Sequence, residues 1–336
     1  MLARPSGRRA PLIWALSVGA LLGPLLAFFV LAAPLQKGLV WPSLWTPTGV
    51  LTFGHRASLT PADQGAFVAR LYFYGIAAMG LRLAGLVVWL VTAWILLRSA
   101  GRSATAAVVL LSLVVGVAFT ALELAGVNQA RLCLVNDVLS RAENAAVLSP
   151  GTLQRLTSVL YVNNLFAFCA LWILLPAFAL SARPHKVDTP AGPEVLRTEL
   201  WHLRVLVGLG SLVLVPAVAA TFGLLLVTLP IIEPGAAQGA AQLAAAVSTF
   251  LGGVLTLFLL IPAVCSLASI GLQALRLAER SSPDTTFSGR VRWLKENDLH
   301  LSPAQVASSL AGTLGPLLAT PALDMAGSLF RFVPPS

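Results

Sequence analysis

Six stretches of the chain are apolar for more than about twenty residues, with at most one charged side chain in each. They run from Pro11 to Leu35, Gly75 to Leu97, Ala104 to Ala125, Ser158 to Ala182, Val205 to Ile231 and Val247 to Leu275. A helix needs about 20 apolar residues to cross a hydrocarbon layer of roughly 30 Å, so each stretch predicts a transmembrane helix. The pattern divides the chain into a basic N-terminus over 1–10, a six-span bundle over 11–275 and a basic linker with a membrane-associated segment over 276–336. The expected fold is all-α: a six-helix transmembrane bundle with long outer helix extensions and a C-terminal amphipathic or re-entrant segment.

The polar intervals add detail. Leu59-Thr60-Pro61-Ala62-Asp63 supplies a Thr cap, a proline at the first helical position and an acid two residues on, so a helix starts there and runs into the second span. Leu148-Ser149-Pro150 is expected to open the fourth span in the same way. In both places the proline is followed by nine residues and then Leu-Tyr; shared cap chemistry explains this better than an internal duplication. Between the third and fourth spans, Asn128 to Ala146 is polar but carries Leu132, Leu134, Val135, Val138 and Leu139, which suits a helix packed over the mouth of the bundle. The fifth span is preceded by a proline cluster and a helical start at Glu194, and Pro216 is placed to kink it. After the sixth span, Ser302-Pro303-Ala304-Gln305 forms a capping box, with Leu301 and Val306 as its hydrophobic staple. The apolar residues beyond it are interrupted by Gly315-Pro316 and Thr320-Pro321, which predicts a broken or re-entrant helix against the inner face.

Composition agrees with lipid as the solvent. Of 336 residues 57% are hydrophobic and 10% charged, against about 25% charged in a soluble domain. A net charge of +9 would suggest nucleic acid in a soluble protein; here it sorts by position, and no nucleic-acid partner is expected. With the N-terminus in the cytoplasm, fifteen basic residues fall on the cytoplasmic side and six outside, which predicts that both termini are cytoplasmic. Trp41 and Trp45 then fall in the first outer loop, and Trp94 and Trp201 near inner boundaries. The first span is longer than the core of a signal peptide and reads as a retained anchor. The preference for Arg over Lys, with abundant Ala, Leu, Gly and Pro, points to a bacterial cytoplasmic (inner) membrane. Arg276, Arg280, Arg290, Arg292 and Lys295 form a juxtamembrane patch able to attract anionic lipid headgroups.

No catalytic, cofactor or metal signature is present in the sequence: HExxH, GxSxG, GxxxxGK[ST] and CxxC are all missing, and the three cysteines are scattered. Glu199-x-x-His202 copies half of a di-iron motif and reads as a solvated helix end.

Charged residues within the apolar stretches carry more information, since an Arg at the centre of a span costs roughly 2.5–3.5 kcal/mol on insertion scales. Arg82 lies within the second span and Glu123 near the outer end of the third. A hairpin turning near residue 100 puts position 82 about 6 Å in height from Glu123, a rise an Arg side chain covers. Gly75, Ala78, Arg82 and Gly85 share one helix face, and Ser112, Gly116, Thr120 and Glu123 another, so these stripes are expected to meet each other or the bundle centre. Asn163 and Asn164 add polar groups on the fourth span. This set, Arg82, Glu123, Asn163, Asn164 and Thr120, has two readings: an outward cavity for a small polar solute or ion, or an ion-pair lock between helices. The expected function is of transport or channel type. The alternative is a non-catalytic membrane scaffold or assembly subunit, acting as a homo-oligomer or with partner membrane subunits.

Overall fold

The computed structural model describes residues 10–27, 58–124, 133–185, 191–284, 286–319 and 321–322. Among them no residue lies in a strand. The helices are α1 (Ala10–Ala27), α2 (Pro61–Ala100), α3 (Arg102–Leu124), α4 (Cys133–Asn144), α5 (Thr152–Ala182), α6 (Gly192–Val227), α7 (Pro234–Ser281), α8 (Phe287–Glu296) and α9 (Pro303–Ala311). Five of them, α2, α3, α5, α6 and α7, are long and apolar enough to cross a membrane. The remainder of the first expected span, beyond Ala27, lies outside the described residues.

The caps set these boundaries. Thr60 accepts from the Asp63 amide, and the Asp63 carboxylate accepts from the Thr60 amide, so α2 begins where its sequence predicts and continues unbroken for 40 residues, about 60 Å. The second copy of the pattern behaves differently. Ser149 does not cap α5; Gly151 does so from a left-handed conformation with φ +82°, and Glu143 at the end of α4 accepts from the Leu153 amide at 2.6 Å. A carboxylate delivered from the preceding helix takes over the role expected of Ser149. With that, the likeness between the two segments ends.

The bundle is organised around α5. This helix touches α1, α2, α3, α6 and α7, and Ala170, Ile173, Leu174, Leu175 and Phe178 are among its fully enclosed side chains. It is apolar all round because it has protein on nearly every side. At the rim, α3 touches only α5 extensively and leaves Leu110, Leu111, Val114 and Val117 more than half exposed. Together with exposed Ile76, Met79 and Leu83 on α2, these form an apolar outer surface larger than water-soluble monomers carry, and one that suits lipid.

Placement of α5 also changes how α2 and α3 meet. At Gly85 and Gly116 the two small-residue stripes face α5: a Cβ on Gly85 would come 3.0 Å from the Phe166 carbonyl oxygen, and one on Gly116 would collide with Cys169. Phe166 and Cys169 are both on α5, which wedges between the neighbours in sequence. Helices α2 and α3 are linked directly by the Trp89 indole N–H donating to Ser112 Oγ at 3.0 Å. On the other flank Gly19 and Gly23 of α1 face Cys265 and Ile261 of α7.

At the end of the bundle away from Arg98 and Arg183, α4 closes the mouth by burying Val138, Leu139 and Ala142 against α5 and α6. At the opposite, basic end, α8 folds back, and Leu294 and Leu299 join Leu196, Ala274, Leu277 and Ala278 in a small apolar cluster. The basic patch is therefore partly engaged with protein: Arg290 pairs with Glu279 at 3.4 Å and Arg292 with Glu296 at 3.1 Å.

The capping box at Ser302 and Gln305 forms as the sequence predicts. The chain beyond this box does not lie flat across the basic end. Leu301 packs at Gly271, Ser211 Oγ donates to the Gly312 carbonyl, and the Pro316 carbonyl sits on Gly252 while the Leu317 amide donates to Thr256 Oγ1 at 3.1 Å. From Gly271 to Gly252 is about 28 Å of α7 at 1.5 Å per residue, so the segment runs along the groove between α6 and α7. Glycine at 252 and 312 is what lets its backbone approach so closely.

Candidate functional site

Arg82 of α2 enters the interface with α5. Its Nε donates to Asn163 Oδ1 at 2.8 Å and its Nη2 to the Val159 carbonyl at 3.4 Å. Asn163 is fully buried, and its Nδ2 has no hydrogen-bond partner among the described residues. The amide oxygen thus gives a guanidinium in apolar surroundings an acceptor, at the cost of one idle donor.

Thr120 is engaged elsewhere. Thr120 Oγ1 donates to the Gly116 carbonyl of its own helix at 2.9 Å, which satisfies it within α3. Asn164 is half-buried and engaged in a polar contact. Position 123 is in α3, but the Glu123 side chain lies outside the described residues, and so does the expected pair with Arg82. Arg82 and Asn163 of this set are in direct contact.

A second polar group forms at the basic end, where the sequence suggests only a solvated helix end. Glu199 and His202 are instead buried, at 7% and 8% exposed. They are covered because the chain after α5 returns over them: His185 Nε2 stands 3.9 Å from Glu199 Oε1, and His202 Nδ1 is 3.5 Å from Glu199 Oε2. A polar stripe on α7 holds this return in place. Ser266 Oγ donates to the Phe178 carbonyl at 2.9 Å, and Ser269 Oγ donates to the Ala182 carbonyl. Gln273 accepts from the His185 amide at 2.8 Å and donates to the Arg183 carbonyl at 3.0 Å. Arg183 itself donates to the Ser99 carbonyl at 2.9 Å, tying α5 to the end of α2.

One signal for this group is in the sequence: Ser266, Ser269 and Gln273 fall on one face of an otherwise apolar span. The partner they hold, His185, lies in a proline-rich linker with no periodicity to place it. Chemically the group can hold or shift a proton. Among the described residues, no three or more His, Cys, Asp or Glu side chains are grouped so as to hold a metal ion.

His185 has a pKa below the ordinary imidazole value of 6.5: burial lowers it, Glu199 pulls it up, and Arg183 lowers it again. The folded protein therefore binds this proton less readily than the unfolded chain. The stabilising contribution is complete above pH 6.5 and is lost as the pH falls through the lowered folded value. Melting of the purified protein in detergent should shift to lower temperature on acidification from about pH 7.5 to about pH 5.5, and His185→Asn should flatten that dependence. A melting temperature equally sensitive to acid in the variant would assign the effect to other groups.

Compared with known proteins, the chain matches no family model, no curated protein and no solved structure.

Proposed function

We propose that this is a non-catalytic membrane scaffold or assembly subunit of a larger membrane complex. The observation that carries this reading is the use made of Arg82. It is the charge set furthest into an apolar span among the described residues, and its bonds go to Asn163 and Val159 on the adjacent helix, where they bind α2 to α5. Asn163, Ser266, Ser269 and Gln273 likewise spend hydrogen bonds between helices. Helices α2 and α7, at 40 and 48 residues, exceed a roughly 30 Å layer, and α4 packs as a cap on α5 and α6, a shape suited to holding partners outside the bilayer.

The test is the size of the native assembly. Extracted in nanodiscs directly from its own membrane and weighed by mass photometry, the protein should be found in a discrete particle heavier than one 35.2 kDa chain in its disc. A population of single chains under the same extraction would contradict the proposal.

One observation favours a transport-type reading for a small polar solute or ion. The Asn163 Nδ2 donor is fully buried and without a partner among the described residues, and a polar solute could satisfy it. The two readings differ in whether water reaches the α2/α5 interface.

A further inference from the structure

The contact between α6 and the C-terminal segment leaves a cavity of about 540 Å³, lined by Arg204, Val207 and Gly208 of α6 and by Gln305, Ser308, Ser309 and Gly312. None of these residues is acidic. Arg204 stands at the head of the apolar stretch that begins at Val205, where a membrane-spanning helix meets the headgroup layer. Its Nε donates to Ser309 Oγ at 3.2 Å, which fixes the guanidinium plane beside the cavity. Among the described residues its terminal nitrogens make no further bond, so the fork retains donors of the kind that pair with phosphate oxygens.

The surroundings select the form in which a phosphate would arrive. Trp201, Arg204, Gly208 and Leu212 share one exposed face of α6 at helical spacing. In order, they present an indole suited to the interface, a cation, a gap and an apolar side chain. A Cβ on Gly208 would meet no atom within 4 Å, so the face is indented there. Beyond the indentation the exposed side chains are apolar, with Leu212 on α6 and Leu314 and Leu318 on the C-terminal segment. A free phosphate has no use for this apolar continuation, whereas a lipid does: headgroup at Arg204, acyl chain over the exposed apolar face at Leu212.

We propose that this cavity is a binding site for one anionic phospholipid, whose phosphodiester is held by Arg204 with the Gln305 side-chain amide nitrogen at the rim, its oxygen being engaged by the Ser302 amide. It is separate from the basic patch on α8, and it does not depend on whether the protein is a scaffold or a transporter.

The experiment is native mass spectrometry of the full chain in detergent, titrated with dioleoyl phosphatidylglycerol and, separately, with dioleoyl phosphatidylcholine. The wild-type protein should retain one phosphatidylglycerol in preference to phosphatidylcholine. Arg204→Gln should weaken that retention about tenfold, the worth of one charge-assisted contact. Gly208→Leu should weaken it comparably by filling the indentation, and since that side chain enters open space the variant remains folded. Arg290→Gln, on the separate patch, should leave it unchanged. Inorganic phosphate in large excess should not displace the lipid. Equal retention of the two lipids, or unchanged retention in Gly208→Leu, would overturn the proposal, and displacement by inorganic phosphate would reassign the site to a free anion. If Arg204→Gln does not fold, Gly208→Leu decides.

Discussion

Replacing Asn163 with leucine should destabilise the folded protein by about 3 kcal/mol, because it leaves the Arg82 guanidinium in the α2/α5 interface without its 2.8 Å acceptor. Replacing Arg82 with leucine instead leaves a fully buried amide with neither end paired, at a cost of about 1–3 kcal/mol. The two losses are one interaction counted twice. A chain carrying both leucines presents matched apolar surfaces and should be more stable than the Asn163→Leu single variant, with a coupling of at least about 1 kcal/mol. Denaturant titration of the four proteins in the same detergent measures it. Additive losses would show that Arg82 and Asn163 do not act as a pair, and the polar groups of this interface would then need another purpose.

The second large effect is expected at Gly252. A side chain there would run into the backbone carbonyl of Pro316, which, unlike a rotamer, cannot swing aside, so Gly252→Leu should expel the C-terminal segment from the groove between α6 and α7. The neighbouring Gly253 is a built-in control. Its Cβ would meet Leu317 at 3.9 Å, an ordinary contact, and Gly253→Ala should be silent. A cysteine pair reports the position of the segment: Cβ at 312 would lie 3.6 Å from Ser211 Oγ, so Ser211→Cys with Gly312→Cys should crosslink under mild oxidation. Adding Gly252→Leu should reduce the crosslink to background. Undiminished crosslinking would mean that the segment is held by something other than its fit to α7.

Features of this fold are legible in the sequence where their signals are local. The apolar spans, the Thr60 and Ser302 caps and a helix within 128–146 are encoded by residues within one or two turns of each other, and α2 and α9 begin where their caps say. Arg82 stands out for the same reason, as one charge in an apolar run. Its partner does not, since sequence neighbours suggest a hairpin of α2 with α3, whereas α5 inserts between them and presents Asn163. Gly85 and Gly116 correctly announce close helix contact but cannot name the helix they contact. The buried group of Glu199, His202 and His185 is hidden in a different way. Its members are contributed by α6 and by the residues just after α5, and the placement of His185 beside Glu199 is not signalled by either segment alone. The C-terminal segment announces its breaks at Gly315-Pro316 but not the groove that receives them.

Whether the polar residues between α2 and α5 are a fastening or the wall of a water-filled path is settled most directly at Ala78, one turn from Arg82 and 2% exposed. With the three native cysteines replaced, Ala78→Cys in proteoliposomes would be treated with a charged, membrane-impermeant thiol reagent from both sides. A fastened interface predicts no modification until the protein is denatured, after which the thiol should react fully. Modification of the folded protein at a rate approaching that of an exposed thiol would contradict it, and would favour a solute path past Arg82.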